Sequence, residues 1–165
     1  METTREKFLH ELKDTYDAEH RFQQAMDEMR REASDVGLCG LLEDHISETA
    51  DQIRSLEEVF AKLGAEPSRE RCDGASGIVS EGRKVVREAK QDALRDTLIA
   101  GALRKAEHYE IAGYQGLIGG AETMGNGEVS RLLGQIFRQE ETMAKRVQKA
   151  APQLLKKAVQ AEARS

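Results

Sequence analysis

The feature that most constrains this chain is a helical stripe that carries charge where leucine belongs. Ile99, Leu103, Glu107, Glu110, Tyr114, Leu117 and Ala121 recur at steps of three and four. That spacing keeps them on one face of an α-helix. Two carboxylates therefore sit in the middle of an apolar face, within the stretch Ala106-Glu107-His108-Tyr109-Glu110-Ile111-Ala112. An unpaired buried carboxylate is so costly that it is neutralised, ion-paired or bound to a metal.

Three other long segments repeat the pattern. The first helix is expected from about Thr4, as N-cap, to about Ala33, with the stripe Phe8 or Leu9, Leu12, Tyr16, Glu19, Phe22, Met26, Met29, Ala33. The second is capped by Ser34 or Asp35 and ends at Leu63, with Gly64 after it and Pro67 beyond. Its stripe reads Leu38, Leu41, His45, Thr49, Gln52, Leu56, Val59, Leu63, and Glu48 follows His45 by one turn. The third runs from Gln91 or Asp92 to about Met124, where Gly125-Asn126-Gly127 breaks it. The fourth starts near Glu128 and reaches at least Ala151, with the stripe Val129, Leu133, Ile136, Glu140, Met143, Val147. Pro152 is expected to end or kink it, leaving a polar tail.

Loop length sets the topology. Short links join the first helix to the second and the third to the fourth, so each pair is an antiparallel hairpin. The connection from Gly64 to Ala89 is long enough to cross a helix of roughly 45 Å. Within it, Ala65 to about Gly77 reads as polar loop, and Ile78, Val79, Gly82, Val85, Val86 and Ala89 read as a short helix. The expected fold is all-α, a ferritin-like four-helix bundle with one long crossover carrying a short extra helix. Residues 1–151 would form the bundle and 152–165 a basic polar tail.

Composition narrows the function classes. A net charge of −5 argues against nucleic acid, and the basic residues beyond Ala144 suit a helix C-terminus. No apolar run approaches the roughly 18 residues of a membrane span, and the N-terminus has no signal-peptide apolar region. Cys39 and Cys72 stand alone, which argues against a thiolate metal site and suits a reducing compartment, so a cytoplasmic protein is expected.

The inward polar residues are Glu19, His45 with Glu48, Glu107 with Glu110, and Glu140. The expected helix midpoints fall near residues 18, 49, 108 and 139, so all six should meet at one height. Singly, each has an ordinary reading: His45 as a core histidine, Glu19 or Glu140 as half of an ion pair. Together, five carboxylates and a neutral imidazole carry about −5, which two divalent ions reduce to about −1 and two trivalent ions to about +1. Oxygen donors with one imidazole suit iron or manganese, although zinc and copper compete on affinity. Two metal ions per chain are therefore expected, iron first. The set departs from the paired Glu-x-x-His arrangement of di-metal bundles: His45-x-x-Glu48 reverses the order and Met143 stands where a second histidine would be. Glu141 is the reserve if the fourth helix is turned differently.

The stretch Leu12-Lys13-Asp14-Thr15-Tyr16-Asp17-Ala18-Glu19, then His45 with Glu48-Thr49, and Glu107 to Tyr114, resembles the YciF/YciE-like bacterial stress proteins. The resemblance runs nearly to Ala150. It implies a ferritin-like bundle with a di-iron site, ferroxidase-type activity with oxygen or peroxide, a homodimer in place of a storage cage, and a role in stress. Arg138-Gln139 before Glu140, and Ala144, depart from the acid-rich fourth helix of that family. A dimeric structural or interaction module holding a stabilising metal remains the alternative.

Overall fold

Helix α1 (Thr4–Glu32) opens on a capping box: Thr3 accepts from the Glu6 N–H at 3.1 Å, and Glu6 reaches back to the Thr3 N–H. The cap is thus one residue earlier than the expected Thr4. Asp35 caps α2 (Val36–Lys62) through the Leu38 N–H at 3.0 Å. Asn126 caps α5 (Gly127–Glu162) through the Val129 N–H at 3.2 Å. Gly64 and Gly125 follow α2 and α4 (Asp92–Thr123) with φ of 62° and 72°, where only glycine turns the chain without strain. The short helix α3 (Asp73–Glu88) lies in the crossover. This computed structural model describes residues 1–164, and every regular element among them is an α-helix.

Helix α1 packs on α2 and α4, and α5 packs on the same two, so the ring order is α1, α2, α5, α4. Contacts between helix ends fix the directions. Arg5 donates to the Leu63 carbonyl at 2.8 Å, and Lys62 pairs with Glu128 at 2.5 Å, at one end of the bundle. At the other end Asp96 accepts from Ser34 and Asp35, and Lys157 pairs with Asp35. Helix α2 therefore runs parallel to α4 and antiparallel to α5, as the crossover requires. The expected ferritin-like bundle is the fold observed.

Two boundaries differ from the sequence reading. Helix α3 begins at Asp73, several residues before Ile78, because the Cys72 thiol accepts from the Ala75 N–H at 3.3 Å and Ala75 is buried. Gly74 and Gly77, read as loop residues, lie inside it. A Cβ at Gly74 would come within 2.6 Å of the Tyr109 hydroxyl, so that glycine lets α3 press against α4. The crossover is pinned by buried Asp17, which accepts from Arg69 at 2.8 Å, from the Cys72 N–H at 2.9 Å, and from Arg21. These bonds hold its carboxyl below the ordinary range despite burial.

Helix α5 also continues through Pro152 to Glu162, where the sequence reading expects an end or a kink followed by a polar tail. An interior proline costs about 3 kcal/mol. Against this, Leu154 and Ala158 are buried, a leucine alone contributing about 2 kcal/mol, and Lys157 ties the stretch to Asp35. Tertiary packing outweighs the local break.

Candidate metal centre

Between the four long helices the core forms two apolar halves with a polar layer between them, and a third cluster packs α3 on α1 and α4. One half joins Leu12 and Tyr16 to Ile53, Leu56, Tyr114, Leu117, Leu133 and Ile136. The other joins Met26, Leu38, Leu42, Ile99, Leu103, Met143 and Val147. On every long helix the residues between the two halves are those the stripes marked: Glu19 on α1, His45 on α2, Glu107 and Glu110 on α4, Glu140 on α5. None of the five is more than 3% exposed.

The structure brings four of these to one point. His45, Glu107, Glu110 and Glu140 each offer a donor atom, and the four atoms lie within 4.8 Å of one another. His45 Nε2 is 2.6 Å from Glu107 Oε1, yet neither atom has a hydrogen-bond partner. The contact lacks the alignment of a hydrogen bond, so each atom is left without a partner. Glu19 sits beside this group, one oxygen held by the Tyr114 hydroxyl and the other without a partner. Gln52 donates its amide to Glu140. Among the described residues nine buried side-chain atoms lack partners, and seven belong to this layer: Glu19 Oε2, both His45 nitrogens, Gln52 Oε1, both Glu107 oxygens and Glu140 Oε2. Buried polar atoms are nearly always paired, so such a concentration of acceptor oxygens beside an imidazole marks a place where a cation or protons could be held.

Glu48 is the exception among the six. It lies half-buried at the edge, outside the four, with no hydrogen bond or ion pair among the described residues. Glu141 is half-buried while Glu140 is fully buried, so the turn of α5 is as first read. His108 is exposed, as its place off the stripe implied. Of the two core tyrosines, Tyr114 meets a cluster carboxylate and Tyr16 instead donates to Glu57 at 2.8 Å. The role of Gln52 was not read from sequence, although its spacing of seven from His45 places both on one line of the helix.

Charge explains why the arrangement needs a partner. Burial, then the neighbouring Glu140, pushes Glu19 up to about 8. Burial likewise pushes Glu107 up to about 8, with the charges of Glu19 and Glu48 adding to it. Burial drives Glu110 and Glu140 well above the ordinary carboxylate range, with the other carboxylates adding to it. All four shifts favour the protonated form of these carboxyls when nothing else balances their charge.

A family model described as a domain of unknown function, DUF892, matches residues 3–160. The chain is 31% identical over 142 residues to protein YciF of Escherichia coli K12, covering 86% of each. The crystal structure of the E. coli stress protein YciF superposes with a TM-score of 0.90 at 28% identity, covering 95% of this chain and 99% of that one. YcfI of Rhodopseudomonas palustris superposes at 0.87 with 32% identity, covering 89% and 94%. A ferritin-like, diiron-carboxylate protein of Bacillus anthracis shares the fold at a TM-score of 0.70 and 15% identity, covering 92% and 99%.

Proposed function

This chain belongs to the DUF892 family, and from that premise we propose that its buried layer binds two metal ions, iron before manganese, and oxidises Fe(II) with oxygen or peroxide. The observation that carries the reading is the convergence of unpartnered oxygen and imidazole donors from four helices on one buried point. Glu19, His45, Glu107, Glu110 and Glu140 would hold the pair, and Glu48 stands outside them at the edge of the layer. This donor set is hard and carboxylate-rich, which suits iron and manganese. When bound, a redox-active pair supplies electrons to the oxidant.

The chain's own residues set the conditions for that chemistry. Tyr114 fixes Glu19 and Gln52 fixes Glu140, so two carboxylates stay oriented. The apolar layers above and below keep bulk water out. Five anions favour the more highly charged, oxidised ions.

We place the protein in the cytoplasm during stress. Both cysteines are free, which suits a reducing compartment, and E. coli YciF is named a stress protein. We further propose a homodimer without a mineral core. Leu155 and Val159, exposed one turn apart on α5, offer apolar surface to a second copy. Sedimentation should give a dimer, and a particle of about 24 subunits contradicts it.

Fe(II)-loaded protein should react with peroxide or oxygen faster than free Fe(II), giving the absorbance of oxo-bridged ferric iron. Glu19→Ala and Glu140→Ala should each slow the reaction. Comparing the two oxidants separates oxidase from peroxidase use. Equal rates with and without protein, at full iron loading, would leave a purely structural metal.

A further inference from the structure

One cleft opens beside the buried layer. It lies between α2 and α5, has a volume of about 480 Å³, and is lined in part by Glu48, Asp51, Arg138 and Gln139. A hydrated divalent ion with six waters fills roughly 200 Å³ at about 30 Å³ per water, so the cleft admits one intact. Glu48 contributes to it an unpartnered carboxylate whose charge already acts on Glu107 inside. Asp51 is paired with Arg54, which leaves Glu48 as the free anion on the wall.

The second observation is the amide of Gln52, which is 1% exposed. Its nitrogen lies 3.4 Å from Gln139 Oε1, on the cleft wall, and also donates to Glu140 within the layer. Its oxygen has no partner. One buried amide therefore spans the boundary between cleft and layer, with a spare acceptor.

Resting on the reading of the layer as a metal site, we propose that this cleft is the loading site for divalent cations, with Glu48 the residue that first captures the ion and Gln52 the residue it passes. Glu48 acts in transit, so the resident pair keeps its ligands without it. Arg138 is the cation on the wall and opposes capture by charge repulsion.

The test uses Co(II) alone, with loading followed by stopped-flow visible absorbance and final content by equilibrium dialysis. Glu48→Gln should load at least fivefold more slowly than wild type yet finish with the same cobalt per chain. Gln139→Leu, at an exposed position that leaves folding alone, should also slow loading, and Arg138→Gln should speed it. Glu88→Gln, an exposed charge-matched control on α3, should load at the wild-type rate. Wild-type rates in Glu48→Gln and Gln139→Leu overturn the loading site while leaving the layer as a metal site. Lower final cobalt in Glu48→Gln overturns it differently, by making Glu48 a resident ligand. Wild-type protein that takes up no cobalt removes the metal site and the loading route together.

Discussion

Replacing Glu107 with alanine is expected to cut bound metal from about two ions per chain to one or none, with helix content nearly unchanged. Glu107 is fully buried, and both of its oxygens lack hydrogen-bond partners. One of them lies against His45 Nε2, at the meeting point of the four donors. No half-exposed neighbour can replace it, since Glu48 stands at the edge and Glu141 points elsewhere. Helix content should survive because the apolar halves on either side are untouched. Truncating a buried side chain costs about 2–5 kcal/mol, but removing a desolvated carboxyl offsets part of that. Metal analysis beside circular dichroism checks the result. Full metal occupancy in the variant would remove Glu107 from the site.

Stripping the metal should lower the melting temperature by roughly 10–20 °C near pH 8, and by much less near pH 5. At one hundred times the dissociation constant each ion stabilises by about 2.7 kcal/mol, and 1 kcal/mol moves a chain of this size by about 2–4 °C. The pH dependence follows from the sign of the carboxyl shifts. Glu19 and Glu107 are raised to about 8 in the folded chain, while unfolded glutamates ionise near 4.5. Below that lower value both states are protonated and the metal-free layer carries no penalty. As pH rises towards 8 the unfolded chain releases protons that the folded one retains, so metal-free stability falls by roughly a kcal/mol per pH unit for each retained proton. Glu110 and Glu140, raised further, carry the same trend upward. In metal-free protein Glu110→Leu should recover stability, more at pH 8 than at pH 5. An unchanged melting temperature after chelation would mean that the layer holds no metal or is well hydrated.

Much of this was readable in the residues before any coordinates. Glu19, Glu107 and Glu140 stood out because leucine, isoleucine and methionine flank them at helical spacing, and the structure buries each between the two apolar halves. Loop lengths alone gave the crossover topology. The place of Glu48 was harder to read. Three residues past His45 is about 60° off its line, and whether that points inward depends on how far α5 stands from α2, which spacing does not encode. Gln52 lay on the stripe, but an inward glutamine acquires meaning only once Glu140 is seen beside it. Asp17 lies off the apolar stripe of α1, and its burial depends on the path of the crossover, with Arg69 and Cys72 arriving from far along the chain. Pro152 misled for a similar reason: local chemistry ends the helix, and docking of Leu154 and Ala158 continues it.

The most direct test of the buried layer is a metal count on unmodified protein expressed with iron supplied and purified without chelator. Two metal ions per chain, iron or manganese, are expected from the donor set of Glu19, His45, Glu107, Glu110 and Glu140. A chain that comes out folded and free of iron and manganese, and takes up neither on titration at pH 8, would contradict the metal site and leave a dimeric helical module.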